Sequence, residues 1–282
     1  MVESSYNRWK GTGGAWANRL RGRYHRRRPF EPDLGTAGVG KKLRYARTEP
    51  PATGQAVLCL GIRGGGMRAI IVAAGQTVDD VGWQRWVRDG DRIIGADGGA
   101  AQALAWGLVP EVVIGDMDSL PSGDRATLTA LGCRFVEHPR AKDETDLELA
   151  LIQAAEQGAE EIIVLGALGG RLDHTLANLL LLSLPSLEGV SVRIADADQE
   201  IILVRGGGLV RLQGSPGDIV SLLPLGGDAS GVTCSGLAWA LQDDLLRFGF
   251  SRGVSNEMAA TEALVEVEKG FLLVVHGPAP GN

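Results

Sequence analysis

From Met67 onward, short apolar runs alternate with stretches whose apolar residues recur at helical spacing. The runs fall at Ala69–Ala73, Arg92–Gly95, Val112–Gly115, Arg134–Glu137, Ile162–Leu165 and Val190–Ala195. Helical patterns lie between them, around Val78–Arg88, Gly99–Trp106, Asp124–Leu131, Asp146–Gln157 and Asp173–Leu184. Strands alternating with helices predict a parallel sheet covered on both faces. Near Asp198 the rhythm changes. Ile201–Val204, Leu209–Leu212, Ile219–Leu223, Leu264–Val267 and Phe271–Val275 read as strands. Turns are expected at Gly206-Gly207-Gly208, Pro216-Gly217, Gly226-Gly227 and Lys269-Gly270. That half is a small all-β domain, a sandwich or barrel. The boundary is expected at residues 196–201, dividing an α/β domain (67–198) from a β domain (199–282).

Residues 1–66 show no sustained period and read as a disordered basic extension. They are rich in Arg and Gly, with the run Arg26-Arg27-Arg28. A flexible extension, an RNA-binding arm and a start assigned too early all fit. Met67 directly precedes the first strong strand, which favours the last. Gly35–Lys41 fits G-x-x-x-x-G-K, but Lys42 stands where a phosphate loop needs Ser or Thr, and Glu31-Pro32-Asp33 gives no preceding strand.

Charge sharpens this division. The chain of 282 residues carries −6 overall, split into +9 over residues 1–66 and −15 over the rest. The acidic body lacks a basic footprint for nucleic acid, and phosphate ligands would need bridging cations. Cys59, Cys133 and Cys234 are too few and too scattered for a zinc knuckle or disulfide framework, so reduced thiols in a cytoplasmic protein are expected. Ile162–Leu184 is interrupted by Arg171, Asp173, His174 and Asn178, and makes a poor membrane span. The first residues lack an apolar h-region, so no secretory signal is expected.

Ligands of parallel α/β sheets sit beyond the carboxyl ends of the strands. Four predicted strand ends deliver Asp97, Asp116 with Asp118, Lys142 with Asp146, and Arg171 with Asp173 and His174 to one rim. Asp116 and Asp118 are two apart, so in one extended segment they share a face and repel unless a cation such as Mg²⁺ lies between them. The alternative is an Asp-rich turn in which Ser119 caps the next helix. Thr145 and Glu148 fit a capping box, which leaves Asp146 in the first helical turn near the rim. Lys142 reads equally as a solvated lysine or as a charge facing phosphate. Gly169-Gly170 permits close backbone approach, and Arg171 suits bidentate phosphate binding. Asp173 also suits the helix dipole. His174 fits hydrogen bonding or packing better than metal ligation, and Asn178 lies one turn further on.

The ordered series ADGGA at 96–100, GDMDS at 115–119, KDETDLELAL at 142–151, GGRLDH at 169–174 and SNE at 255–257 resembles the thiamine pyrophosphokinase family. The resemblance spans Met67–Gly277. It implies a Rossmann-like α/β ATP-binding domain joined to a β-sandwich that binds thiamine, working as a homodimer. It also implies transfer of the pyrophosphoryl group of ATP to the hydroxyl of thiamine, with release of AMP. By the same resemblance Asp116, Asp118 and Asp146 hold Mg²⁺. Asp97, Arg171 and Asp173 join them in catalysis, and Lys142, Thr145, Arg171, His174 and Asn178 line the ATP site. Ser255 and Asn256 hold thiamine, with Trp239 the candidate ring that stacks on it. A basic extension of 66 residues is not part of the family pattern. Two rival readings remain: a pyrophosphokinase for another heterocyclic alcohol such as a pterin, and a non-catalytic nucleotide- or thiamine-binding module.

Overall fold

The computed structural model describes residues 58–59, 66–75 and 82–279. The Gly35–Lys41 motif, the Arg26–Arg28 run and most of the basic segment lie outside them. In chain order the elements are β1 (Leu58–Cys59), β2 (Met67–Val72), β3 (Arg92–Ala96), α1 (Gly99–Ala105), β4 (Val112–Gly115), α2 (Ser122–Ala130), β5 (Arg134–Glu137), α3 (Asp146–Glu156), β6 (Ala159–Leu165), α4 (Leu172–Leu181) and β7 (Ser191–Asp196). There follow β8 (Gln199–Arg205), β9 (Gly208–Gln213), β10 (Ile219–Ser235), β11 (Leu241–Leu246), β12 (Asn256–Glu257), β13 (Glu262–Val267) and β14 (Lys269–Gly277).

Strands β7-β6-β2-β3-β4-β5 lie side by side in that order, every neighbouring pair parallel. Alternate side chains feed opposite faces, as a pleated strand requires. Ala69 and Ile71 join one core with Leu147, Ala150, Leu151 and Ala154 of α3. Ile70 and Val72 join another with Ala103 of α1, where Trp83 and Trp86 pack. Burial on both faces explains why these strands read as unbroken apolar runs.

At residues 196–199 the chain reverses through a tight hairpin, and β8 pairs antiparallel with β7. The sheet continues without a break through β14 and β10. Strands β8 and β14 serve both halves. Leu203 and Leu273 face the α/β core, while Ile202, Val204, Leu272 and Val274 face a second core with Val210, Leu212, Val232 and Val265. The rhythm change read at Asp198 is therefore a change of pairing direction within one sheet. Strand β10 bends to pair with β13 and β11, closing the second layer.

Several expectations need correction. Gly226-Gly227 is an irregularity inside β10, with Gly226 at φ +72 and the β14 register slipping between Leu225 and Ser230. A bulge bends a strand without ending it, and β11 completes the pairing that the sequence did not reveal. Within Val78–Arg88, the described residues Gly82–Trp86 form a 3₁₀ turn instead of an α-helix. Trp83 stacks on Trp106 at 5.4 Å, and the Trp86 indole N–H donates to the Ala197 carbonyl. Leu58–Cys59, inside the segment read as disordered, pairs parallel with β9. Cys133 and Cys234 are free and buried, and burial pushes both thiols up from their usual range. Among the described residues, no helix is long and apolar enough to cross a membrane.

Candidate active site

Three carboxylates meet at the carboxyl ends of β3 and β4. Asp97 follows β3, Asp116 follows β4, and Asp146 opens α3; one oxygen of each lies within 4.8 Å of the others. Thr145 accepts the Glu148 backbone N–H at 3.2 Å, fixing where α3 starts and so where Asp146 points. Gly115 makes room for the meeting. Its φ is +151, and a methyl group there would lie 2.9 Å from Asp97 Cβ and 3.0 Å from Asp146 Oδ1. The spacing of the motifs does not reveal this role for Gly115.

The premise that Asp116 and Asp118 share one extended segment fails. Strand β4 ends at Gly115, and Met117 takes φ +62 with its side chain buried. The chain therefore turns, and the Asp118 N–H donates to Asp116 Oδ1 at 3.1 Å. Asp118 points to the rim, 3.4 Å from Arg140, while Asp97 takes the third place in the cluster. Ser119 is not a helix cap. Pro121 occupies that position, and the Ser119 hydroxyl donates to Asp118 Oδ1 at 3.0 Å.

The electrostatics ask for a cation. Asp97 Oδ1 and Asp146 Oδ1 are buried without a hydrogen-bond partner. Burial raises the Asp97 pKa above its ordinary value, and the charges of Asp146 and Asp116 add to this. Asp116 is held low, chiefly by the Asp118 backbone N–H. Lys142 Nζ sits 3.0 Å from Asp146 Oδ1 without hydrogen-bond alignment, and also donates to the Pro139 carbonyl. Three hard oxygens, two of them orphaned, fit a divalent cation such as Mg²⁺.

A measurable consequence follows for the metal-free protein. An acid raised by folding binds its proton more tightly when folded, so the stability it contributes at low pH is lost as pH rises above the ordinary value of 3.8. Melts in EDTA should show Asp97→Asn gaining on the wild type as pH rises from acid to neutral. A difference independent of pH would contradict the burial argument.

Arg171 and Asp173 form a separate exposed pair beside α4, with Nη2–Oδ2 at 2.6 Å and Nε–Oδ1 at 3.1 Å. The Arg171 side-chain bond holds Asp173 below the usual carboxylate range. His174 is exposed, and Asn178 donates to the Ala167 carbonyl at 2.7 Å, tying α4 to the loop before it.

In the β half, Trp239 is 58% exposed, which excludes a core-packing role. Asn256 is buried and clamps Trp239 on both sides. Its Oδ1 accepts the Trp239 N–H at 3.0 Å and its Nδ2 donates to the Trp239 carbonyl at 2.7 Å. Its amide is thus committed to the chain. Ser255, at φ +58, keeps an exposed hydroxyl while its N–H donates to Ser221. Among the described residues, no hydrogen bond or ion pair links the acid cluster, the Arg171 pair and the Trp239 loop.

The chain resembles known proteins in both halves. Residues 83–194 match the family description "Thiamin pyrophosphokinase, catalytic domain", and residues 209–272 match "Thiamin pyrophosphokinase, vitamin B1 binding domain". It is 28% identical over 182 residues to thiamine pyrophosphokinase of Bacillus subtilis (strain 168), covering 64% of this chain and 85% of that one. Thiamine pyrophosphokinase 1 of Oryza sativa subsp. japonica is 30% identical over 156 residues, 52% of this chain and 58% of the rice protein. The crystal structure of the Bacillus subtilis enzyme superposes with a TM-score of 0.67 at 26% identity, covering 75% of this chain and 99% of that one. The Candida albicans enzyme shares the fold, with a TM-score of 0.65 at 16% identity over 76% of this chain and 89% of its own. The matched segments span more than half of the 282 residues, and the chain belongs to the thiamine pyrophosphokinase family.

Proposed function

We propose that the acid cluster of Asp97, Asp116 and Asp146 is where this enzyme, a thiamine diphosphokinase, transfers the pyrophosphoryl group of ATP to thiamine. The observation that carries the placement is two orphaned carboxylate oxygens beside a third carboxylate at the strand ends. In the reaction the hydroxyethyl oxygen of thiamine bonds to the β-phosphorus, the bond between that phosphorus and the bridging α,β-oxygen breaks, and AMP leaves. The acceptor proton passes to a nearby base. Asp173 is the weaker candidate for that base because its pair with Arg171 lowers its pKa, and with it its affinity for the proton.

Residues Asp97, Asp116 and Asp146 would hold Mg²⁺, with Asp118 on the rim beside them. When bound, the ion supplies charge neutralisation for the phosphate oxygens. Lys142 shifts from Asp146 toward phosphate, and Arg171 offers its guanidinium to the same chain of phosphates. Thr145, His174 and Asn178 frame this region; Thr145 and Asn178 do so by fixing α3 and α4. Catalysis rests on positioning and electrostatics, because the attacking alcohol is weak and ATP is densely charged.

Residues 67–198 bind ATP and 199–282 bind thiamine in this reading. Trp239 stacks on the acceptor ring, the Ser255 hydroxyl contacts it, and Asn256 positions Trp239 without touching the acceptor. The exposed Trp239, together with exposed Leu172, Leu176 and Leu180 on α4, supports a homodimer whose partner covers these groups. We place the enzyme in the cytoplasm on its reduced thiols. Asn256→Ala should lower thiamine affinity by about 1–3 kcal/mol through the freed Trp239 backbone, leaving binding of a non-hydrolysable ATP analogue unchanged. Calorimetry with each ligand checks this, and equal losses for both would contradict it. Turnover with thiamine against a pterin alcohol tests the acceptor. The match to a vitamin B1 binding domain predicts thiamine alone, and preference for the pterin would overturn the reading.

A further inference from the structure

Six buried side-chain nitrogen or oxygen atoms among the described residues lack a hydrogen-bond partner. Two are oxygens of the acid cluster. Three are nitrogens, on Arg68, Arg193 and His276, and all three residues line one cavity of about 370 Å³. Arg68 Nε faces Glu161 Oε2 at 3.0 Å, which leaves the Arg193 guanidinium N–H as the one that calls for an acceptor. The cavity lies away from the acid cluster. Arg68 and Glu161 reach it from near the first residues of β2 and β6, the opposite end from the strand ends that carry Asp97 and Asp116.

Five arginines line it, against three carboxylates, Glu161, Asp198 and Glu200. Four of the arginines are braced from the side. Arg68 pairs with Asp91 and Glu161, Arg85 with Asp198, Arg193 with Glu200, and Arg211 with Glu262. Each guanidinium has five donors, so bracing orients the fork and leaves N–H groups over for the cavity. Arg88, the fifth, has no carboxylate partner among the described residues, so its guanidinium is free to meet a ligand. His276, about nine-tenths buried, faces Glu200 Oε1 through Nδ1 at 3.0 Å and has Nε2 without a hydrogen bond, 3.7 Å from Asp218.

We propose that this cavity is a second anion site, distinct from the acid cluster, that takes a phosphate or diphosphate group. AMP and thiamine diphosphate, the products of the proposed reaction, both carry such a group. The test is calorimetry with inorganic diphosphate in metal-free buffer, where the acid cluster repels anions. One site per chain is expected. Arg88→Ala should weaken binding about tenfold, the scale of one charge-assisted contact, and Arg88→Glu should weaken it further. Arg88 is exposed, so both variants should melt like the wild type. Asp116→Asn should leave the affinity unchanged. Titrations with AMP and with thiamine diphosphate then show which of the two carries the recognised group better. No binding by the wild type, binding indifferent to Arg88→Glu, or loss in Asp116→Asn would each overturn the proposal.

Discussion

Asp116→Asn or Asp146→Asn should cut turnover by about 10²–10³-fold, the scale of losing one preorganised electrostatic contact to a transferring group, while the protein stays folded. Both residues sit in a cluster whose oxygens lie within 4.8 Å of one another. The Asp118 N–H favours the charged form of Asp116, so Asp116→Asn weakens that hydrogen bond, at a partly open position where the loss is small. In Asp146→Asn the Lys142 ion pair is lost and a lysine only 11% exposed is left without its partner, so this variant should give up some stability and Asp116→Asn is the cleaner of the two. Turnover per folded molecule, measured beside a melting curve, checks both halves of the expectation. Variants that unfold yet keep normal activity per folded molecule would make the cluster a structural network.

Gly115→Ala should cost both stability and turnover, because its added methyl group lands on the acid cluster itself. The added carbon meets Asp97 and Asp146 at once, and it must take a φ of +151 that side chains rarely adopt. Strain and overpacking together should cost about 1–3 kcal/mol. The two carboxylates must also move apart, and misplacement on the ångström scale costs about 10²-fold in rate. Gly132→Ala is the control, since its φ is +84 but nothing lies within 4 Å of the new methyl. It should lose stability and keep its turnover. Normal activity in Gly115→Ala would show that the carboxylates do not act at their observed spacing.

What the sequence revealed follows the physics of each element. Strands buried on both faces read as apolar runs, so β4, buried at all four positions, was located to the residue, and β5 at the sheet edge was found by its place in the alternation. Thr145 was legible as a cap because capping is local. The metal-type cluster was legible by residue type but not by membership. Replacing Asp118 with Asp97 depends on the left-handed Met117, a conformation that composition does not announce. The Asn256 clamp joins residues 17 apart in sequence, and β11 follows from a bulge within β10; both depend on tertiary pairing. A hairpin between β7 and β8 lies at 196–199, where the pairing turns antiparallel, and local pattern gave no sign that β8 and β14 would be shared between cores.

Pyrophosphoryl transfer to thiamine at the acid cluster has a signature in its products. Purified protein with ATP, Mg²⁺ and thiamine should yield AMP and thiamine diphosphate in equal amounts, no AMP without thiamine, and no products when EDTA replaces the metal. ADP with thiamine monophosphate, or AMP released without any thiamine ester, would contradict it.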